Sequence, residues 1–233
     1  MKKVAVVSLS GNVGKSTVAQ HVFLPRIPDA KLITVETINA DEGSDGMVRG
    51  DQWGQLQEEL MMMDAAVVDV GASNIESFVK LMQQYRGSHE EFDMFVVPTV
   101  KDSKQIKDTI ATIQALKAMG VPAKKITVVF NKLAPNETVE EEFFPLFQYH
   151  EQFKAFTLRP SAAIEYSELY HKLRAHKTSI PELLSDATDY KAKMREATTQ
   201  EDKHHWVSMV SMRRLAMSAV ENLDLVFNAV TKK

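Results

Sequence analysis

Short, uninterrupted apolar runs rich in β-branched residues recur along the first two thirds of this chain, with helix-length segments between them. Residues 4–7, 31–35, 65–70, 94–97 and 126–130 each read as a strand buried on both faces, and residues 155–158 are expected to add a short sixth. The segments 15–24, 52–63, 75–85, 102–119 and 138–150 read as helices, with Asp102 and Thr138 as expected caps. Strands that are apolar throughout cannot leave one face to water, so this alternation dictates a mostly parallel sheet covered by helices on both faces. Beyond residue 160 the pattern turns helical, with Pro181 opening one helix and a longer one over about 200–230. No repeat, low-complexity tract or linker divides the chain. The expectation is one domain over 1–233, made of an α/β core (1–160) and a helical C-terminal region (161–233).

Between the first strand and the first helix lies SLSGNVGKST, residues 8–17. A loop in that place aims successive backbone N–H groups at an anion in front of a helix N-terminus. Gly11, Asn12, Val13 and Gly14 form the cradle, the two glycines leaving room for phosphate to approach the backbone. Lys15 reaches the β- and γ-phosphates, Ser16 offers its hydroxyl to Mg²⁺, and Thr17 completes the motif. The glycine expected five residues before Gly14 is replaced by Leu9.

Asp69 ends the third apolar run and is followed by Val70-Gly71, where a phosphate-binding fold places the carboxylate that holds Mg²⁺ through water. Lys15 and Asp69 are therefore the candidate catalytic groups, with Ser16 and Asp69 as the metal side. Asn131-Lys132 follows the fifth run, where a base would lie. Ala134 stands where a guanine reader needs a carboxylate, so adenine is the expected base, with Asn131 facing its amino group or simply ending the strand.

These residues resemble the deviant phosphate-loop ATPases of the ParA/MinD class over about residues 1–160, and SGNVGKST, FLPRIP and VETINADE are similar to the StbB-type plasmid stability proteins of conjugative plasmids. The resemblance implies a P-loop NTPase fold and an ATP- and Mg²⁺-dependent switch that cycles to ADP. It further implies a nucleotide-dependent homodimer, a plasmid-encoded partner protein, and a role in plasmid stability, partition and conjugative transfer. Nonspecific DNA is a possible further partner. Two departures stand out. Ser10 occupies the position of the class lysine that crosses the dimer interface, and Ile38 that of the second acid after the second strand, where Glu36 keeps the first and is a further candidate metal ligand. Slow, or partner-stimulated, hydrolysis is the expectation. The acidic loop 41–46 is either a switch segment or a solvated turn. A small-molecule kinase or ATP-dependent ligase on the same scaffold, and a nucleotide-binding interaction module without turnover, are the competing readings.

Composition narrows the setting. The absence of cysteine excludes disulfides, thiol chemistry and cysteine metal sites, and fits a reducing compartment. The apolar run at the N-terminus is shorter than the ~7–15 residues of a signal core, and no stretch approaches the ~20 needed to span a bilayer. A cytoplasmic protein with little claim to membrane contact is expected. Residues 1–100 hold 8 basic against 14 acidic side chains and residues 101–233 hold 20 against 17, so the C-terminal half permits contact with nucleic acid without demanding it. Trp206, Met209, Ala216, Val220, Leu223, Phe227 and Val230 recur at helical steps broken by Arg213, an amphipathic stripe that either packs on the core or serves as an interaction tail. Adjacent His204 and His205 point about 100° apart on a helix and make poor co-ligands.

Overall fold

The computed structural model describes residues 2–35, 47–48 and 53–232. Among the described residues seven parallel strands form one sheet: β1 (Lys3–Val6), β2 (Lys31–Val35), β3 (Met47–Val48), β4 (Ala66–Val70), β5 (Met94–Thr99), β6 (Ile126–Leu133) and β7 (Ala163–Glu165), in the order β3-β2-β4-β1-β5-β6-β7. The chain first winds outward from β1 to one edge, then returns past it to build the other. This reversal leaves a crevice at the carboxyl end of β1, the place where open parallel sheets bind ligands.

The apolar strands are apolar because they feed two cores. Successive side chains alternate between faces. Ala5, Val68, Phe95, Val97 and Val128 therefore enter one cluster, while Val4, Val6, Val67, Val96 and Val129 enter the other. The first is closed by α2 (Trp53–Met62), α3 (Ile75–Gln84), α4 (Ser103–Ala118), α5 (Val139–Glu142) and α6 (Phe144–Phe153), through residues such as Leu60, Phe78, Ile113 and Leu146. The second is closed by the segment after the glycine loop and by α7 (Leu169–His176), α8 (Ile180–Ser185), α9 (Tyr190–Glu196) and α10 (Gln200–Thr231).

That first segment opens as α1 (Lys15–Thr17), widens into a π-helical turn over Val18–Phe23 and tightens to a 3₁₀ turn over Leu24–Arg26. Pro25 removes an amide donor there. Arg26 compensates: its guanidinium donates to the carbonyls of His21 (2.6 Å) and Val22 (3.2 Å) and pairs with Asp224 of α10 at 2.7 Å.

Three expectations need correction. Residues 155–158 do not form a strand: Thr157 pairs with the sheet through an isolated bridge to Thr127, and the seventh place is taken by β7 in the region expected to be helical. The helix expected over 138–150 is two helices, because Pro145 falls in the first turn of α6 and Phe143 leaves helical geometry between them. Thr138 caps α5 as expected, accepting from the Glu141 amide, whereas the Asp102 side chain makes no capping bond to α4. α8 starts as Pro181 suggested, behind a full capping box between Ser179 and Glu182.

The C-terminal stripe packs on the core. Met212, Ala216, Leu223, Val226 and Val230 are buried, and Trp206, Met209, Val220 and Phe227 lie against them. Arg213, which breaks the stripe, donates to the carbonyls of Leu183, Asp186 and Thr188 and lies 3.9 Å over the Tyr190 ring. It pins the α8–α9 connection to α10. Among the described residues no helix is long and apolar enough to cross a membrane.

Candidate functional site

The glycine loop sits at the crevice. Its entry is tied to α4: the Leu9 amide donates to Thr112 Oγ1 at 3.1 Å, and the Ser10 hydroxyl donates to the Asp108 carboxylate. Ser10 is 3% exposed, so the position faces inward to α4 rather than outward across the crevice.

At the exit of the loop, Gly14 has φ +90°, and a Cβ there would meet Asn131 Nδ2 at 2.0 Å. Only glycine satisfies both the left-handed backbone and the contact. Gly11 is different: among the described residues, its chain neighbours aside, no atom lies within 4 Å of where its Cβ would be, so none of them demands glycine there. Asn12 also adopts a left-handed φ of 59°, a conformation that asparagine tolerates better than most residues.

Lys15 opens α1, and its ammonium donates to the Ser10 carbonyl at 2.8 Å, folding the side chain over the loop. Burial pulls its pKa below the usual lysine value, and the Asp69 carboxylate opposes that shift. Asp69 lies on β4 in register with Val6 of β1 and Thr34 of β2, and is 4% exposed. Lys15 and Asp69 thus lie close enough for their charges to interact. Ser16 is exposed, Thr17 is half-buried and Val13 is fully buried. Glu36, Ile38 and the acidic loop 41–46 lie outside the described residues.

Asn131 ends up beside the loop, but its amide is already engaged. Nδ2 donates to the Val13 carbonyl at 2.9 Å and Oδ1 accepts from the Lys132 amide at 2.9 Å. Lys132 follows at φ 61°, where the pairing of β6 with β7 slips, and its ammonium donates to the Asn12 carbonyl at 3.3 Å. Beyond these two residues opens a cavity of about 550 Å³, reaching from Asn12, Gly14 and Thr17 to Tyr166, Tyr170 and Arg174 on the β7–α7 side. That volume suits a nucleotide-sized ligand. Asn131-Lys132 was expected beside a base, but nothing in the sequence assigns Lys132 a role of its own, and Tyr166 and Arg174 carry no local signal.

No family model and no curated protein matches the chain. Solved structures do. MinD, a cell division protein from Aquifex aeolicus, superposes with a TM-score of 0.53 at 12% identity, over 96% of this chain and 97% of its own. A putative plasmid partition protein from Borrelia burgdorferi, solved bound to AMPPNP, gives 0.50 at 12% over 91% and 97%. Apo McdA from Cyanothece gives 0.50 at 14% over 78% and 93%. At such identities the likeness establishes the fold. The chain has the P-loop NTPase fold of MinD and ParA-type proteins, with a helical C-terminal region.

Proposed function

We propose that this protein is an ATP-binding switch of the ParA/MinD type that hydrolyses slowly. The observation that carries the reading is the convergence, at the carboxyl edge of a parallel sheet, of a glycine loop, the Lys15 ammonium and the Asp69 carboxylate beside a nucleotide-sized cavity. Backbone amides 11–15 would hold the polyphosphate and Lys15 its outer oxygens. Ser16 and Asp69, both hard oxygen donors, suit Mg²⁺, with Glu36 as a further donor. Bound Mg²⁺ supplies charge neutralisation across the phosphates. The structures solved for a partition protein with AMPPNP and for MinD in complex with MinC support a nucleotide-bound state and a protein partner for this fold.

Ser10 favours slow turnover. Buried against Asp108, it offers no cation to the bridging phosphate oxygen, where a positive charge would stabilise the transition state. The same observation keeps a second reading in play, a nucleotide-dependent interaction module with no turnover at all. In the first reading the protein forms a nucleotide-dependent homodimer, meets a plasmid-encoded partner in the cytoplasm, and serves plasmid stability, partition and conjugative transfer. Nonspecific DNA contact is open to its more basic C-terminal half.

The test combines sedimentation with plasmid retention. Mg²⁺-ATP shifts the wild type toward dimer, ADP does not, and Lys15→Ala abolishes both the shift and retention of a plasmid that depends on the gene. Retention undiminished in Lys15→Ala overturns the switch.

A further inference from the structure

The end of β6 grips the glycine loop from outside, and this contact explains two costly features at once. Lys132 holds a left-handed φ of 61° one residue before the end of β6, and the ladder to β7 is broken there, with Asn131 and Leu133 paired out of step. A non-glycine residue adopts that geometry only when its surroundings impose it. In return, two consecutive side chains of β6, Asn131 and Lys132, both reach the loop, whereas in a regular strand they would point to opposite faces. Their donors engage two consecutive loop carbonyls, Val13 and Asn12.

Across a trans peptide the C=O of one residue and the N–H of the next point in opposite directions. Holding the carbonyls of Asn12 and Val13 against β6 therefore turns the amides of Val13 and Gly14 away from it, toward the concave side of the loop. Asn12 at φ 59° and Gly14 at φ 90° complete the turn. We infer that Asn131 and Lys132 are positioning residues that preset the phosphate-binding amides before ligand arrives. The Asn131 amide then gives one N–H to Val13 and one lone pair to the Lys132 amide, so its first task is to hold the loop rather than to read the base. This rests on the reading of the loop as a polyphosphate site, and it assigns Lys132 a task on the phosphates although it lines the cavity expected to hold the base.

The experiment compares Mg²⁺-ATP with Mg²⁺-tripolyphosphate, which has no base, by titration calorimetry. Lys132→Met keeps the aliphatic stem and loses the donor. It should weaken both ligands by the same factor, about tenfold for one charge-assisted hydrogen bond. Lys132→Arg, which keeps a cationic donor, should restore most of the loss for both. Thermal unfolding checks that all three proteins are folded. If Lys132→Met weakens ATP alone and leaves tripolyphosphate unchanged, Lys132 acts on the base and the inference is wrong. If the wild type binds neither ligand, the polyphosphate reading fails. The clamp is then judged on the free protein, where backbone amide order parameters at residues 12–14 should fall in Lys132→Met. Unchanged values overturn it.

Discussion

Replacing Gly14 by alanine tests the loop at its tightest point. Two costs add there. The backbone at φ +90° disfavours an L side chain by about 1–2 kcal/mol. The new methyl also lands 2.0 Å from Asn131 Nδ2 and 3.3 Å from its Cγ. The amide must leave the Val13 carbonyl, and a lost buried hydrogen bond costs a further ~1–3 kcal/mol. The expected loss is about 2–5 kcal/mol, a fall in melting temperature on the order of 10 °C for a domain of this size. Two other glycines separate the terms. Gly87 has φ +91° with open space around it, so Gly87→Ala carries the backbone cost alone, about 1–2 kcal/mol. Gly11 has neither feature, and Gly11→Ala should change stability by less than ~0.5 kcal/mol. Urea unfolding of the three variants gives the series directly. If Gly14→Ala costs no more than Gly87→Ala, Asn131 does not grip the loop and the reasoning fails.

Two pH dependences follow from the opposite layer. Burial and the neighbouring Arg26 lower the His21 pKa to about 4, with Tyr170 packed 5.5 Å from its ring. A histidine depressed in the folded state contributes stability that is whole above its unfolded value near 6.5 and is lost as pH falls toward 4. His21→Phe should flatten unfolding free energy across that window, and an imidazole NMR titration with a midpoint near 6.5 would refute the assignment. Hydrogen bonds from Thr188 and Tyr190, helped slightly by the nearby Arg213, hold the Asp186 carboxyl at about 2. Its contribution is present above about pH 4 and lost as pH falls toward 2, so Asp186→Asn should flatten the acid limb below pH 4. An unchanged acid limb would contradict this.

The five long strands and their alternation with helices were legible because each is a short, mostly apolar run rich in β-branched residues and bounded by turn or loop residues, the mark of a strand inside a covered sheet. The edge was not legible. Residues 155–158 look like a strand and β7 does not, because an edge element of three residues is fixed by its neighbour: Ala162 offers its carbonyl to the Phe130 amide, and Asn222 of α10 donates to the Ala163 carbonyl. Neither contact leaves a local trace. The place of the loop and Lys15 between β1 and the first helical segment, and of Asp69 near the end of β4, was readable from residue type and position. The side-chain direction of Asn131 was not, since it depends on the irregular backbone at Lys132 and on a loop 118 residues away in sequence. Arg213 carried a visible signal, a charge inside an apolar stripe, but three backbone acceptors and an aromatic ring in another part of the fold give it its role.

The whole account turns on whether the loop between β1 and α1 holds the phosphates of an adenine nucleotide. Titration calorimetry of the purified protein with ATP in the presence of Mg²⁺ measures this directly. Saturable binding at one site per chain in the wild type, absent in Lys15→Ala of unchanged thermal stability, is the predicted result. No heat of association in the wild type, or equal affinity in Lys15→Ala, would contradict it.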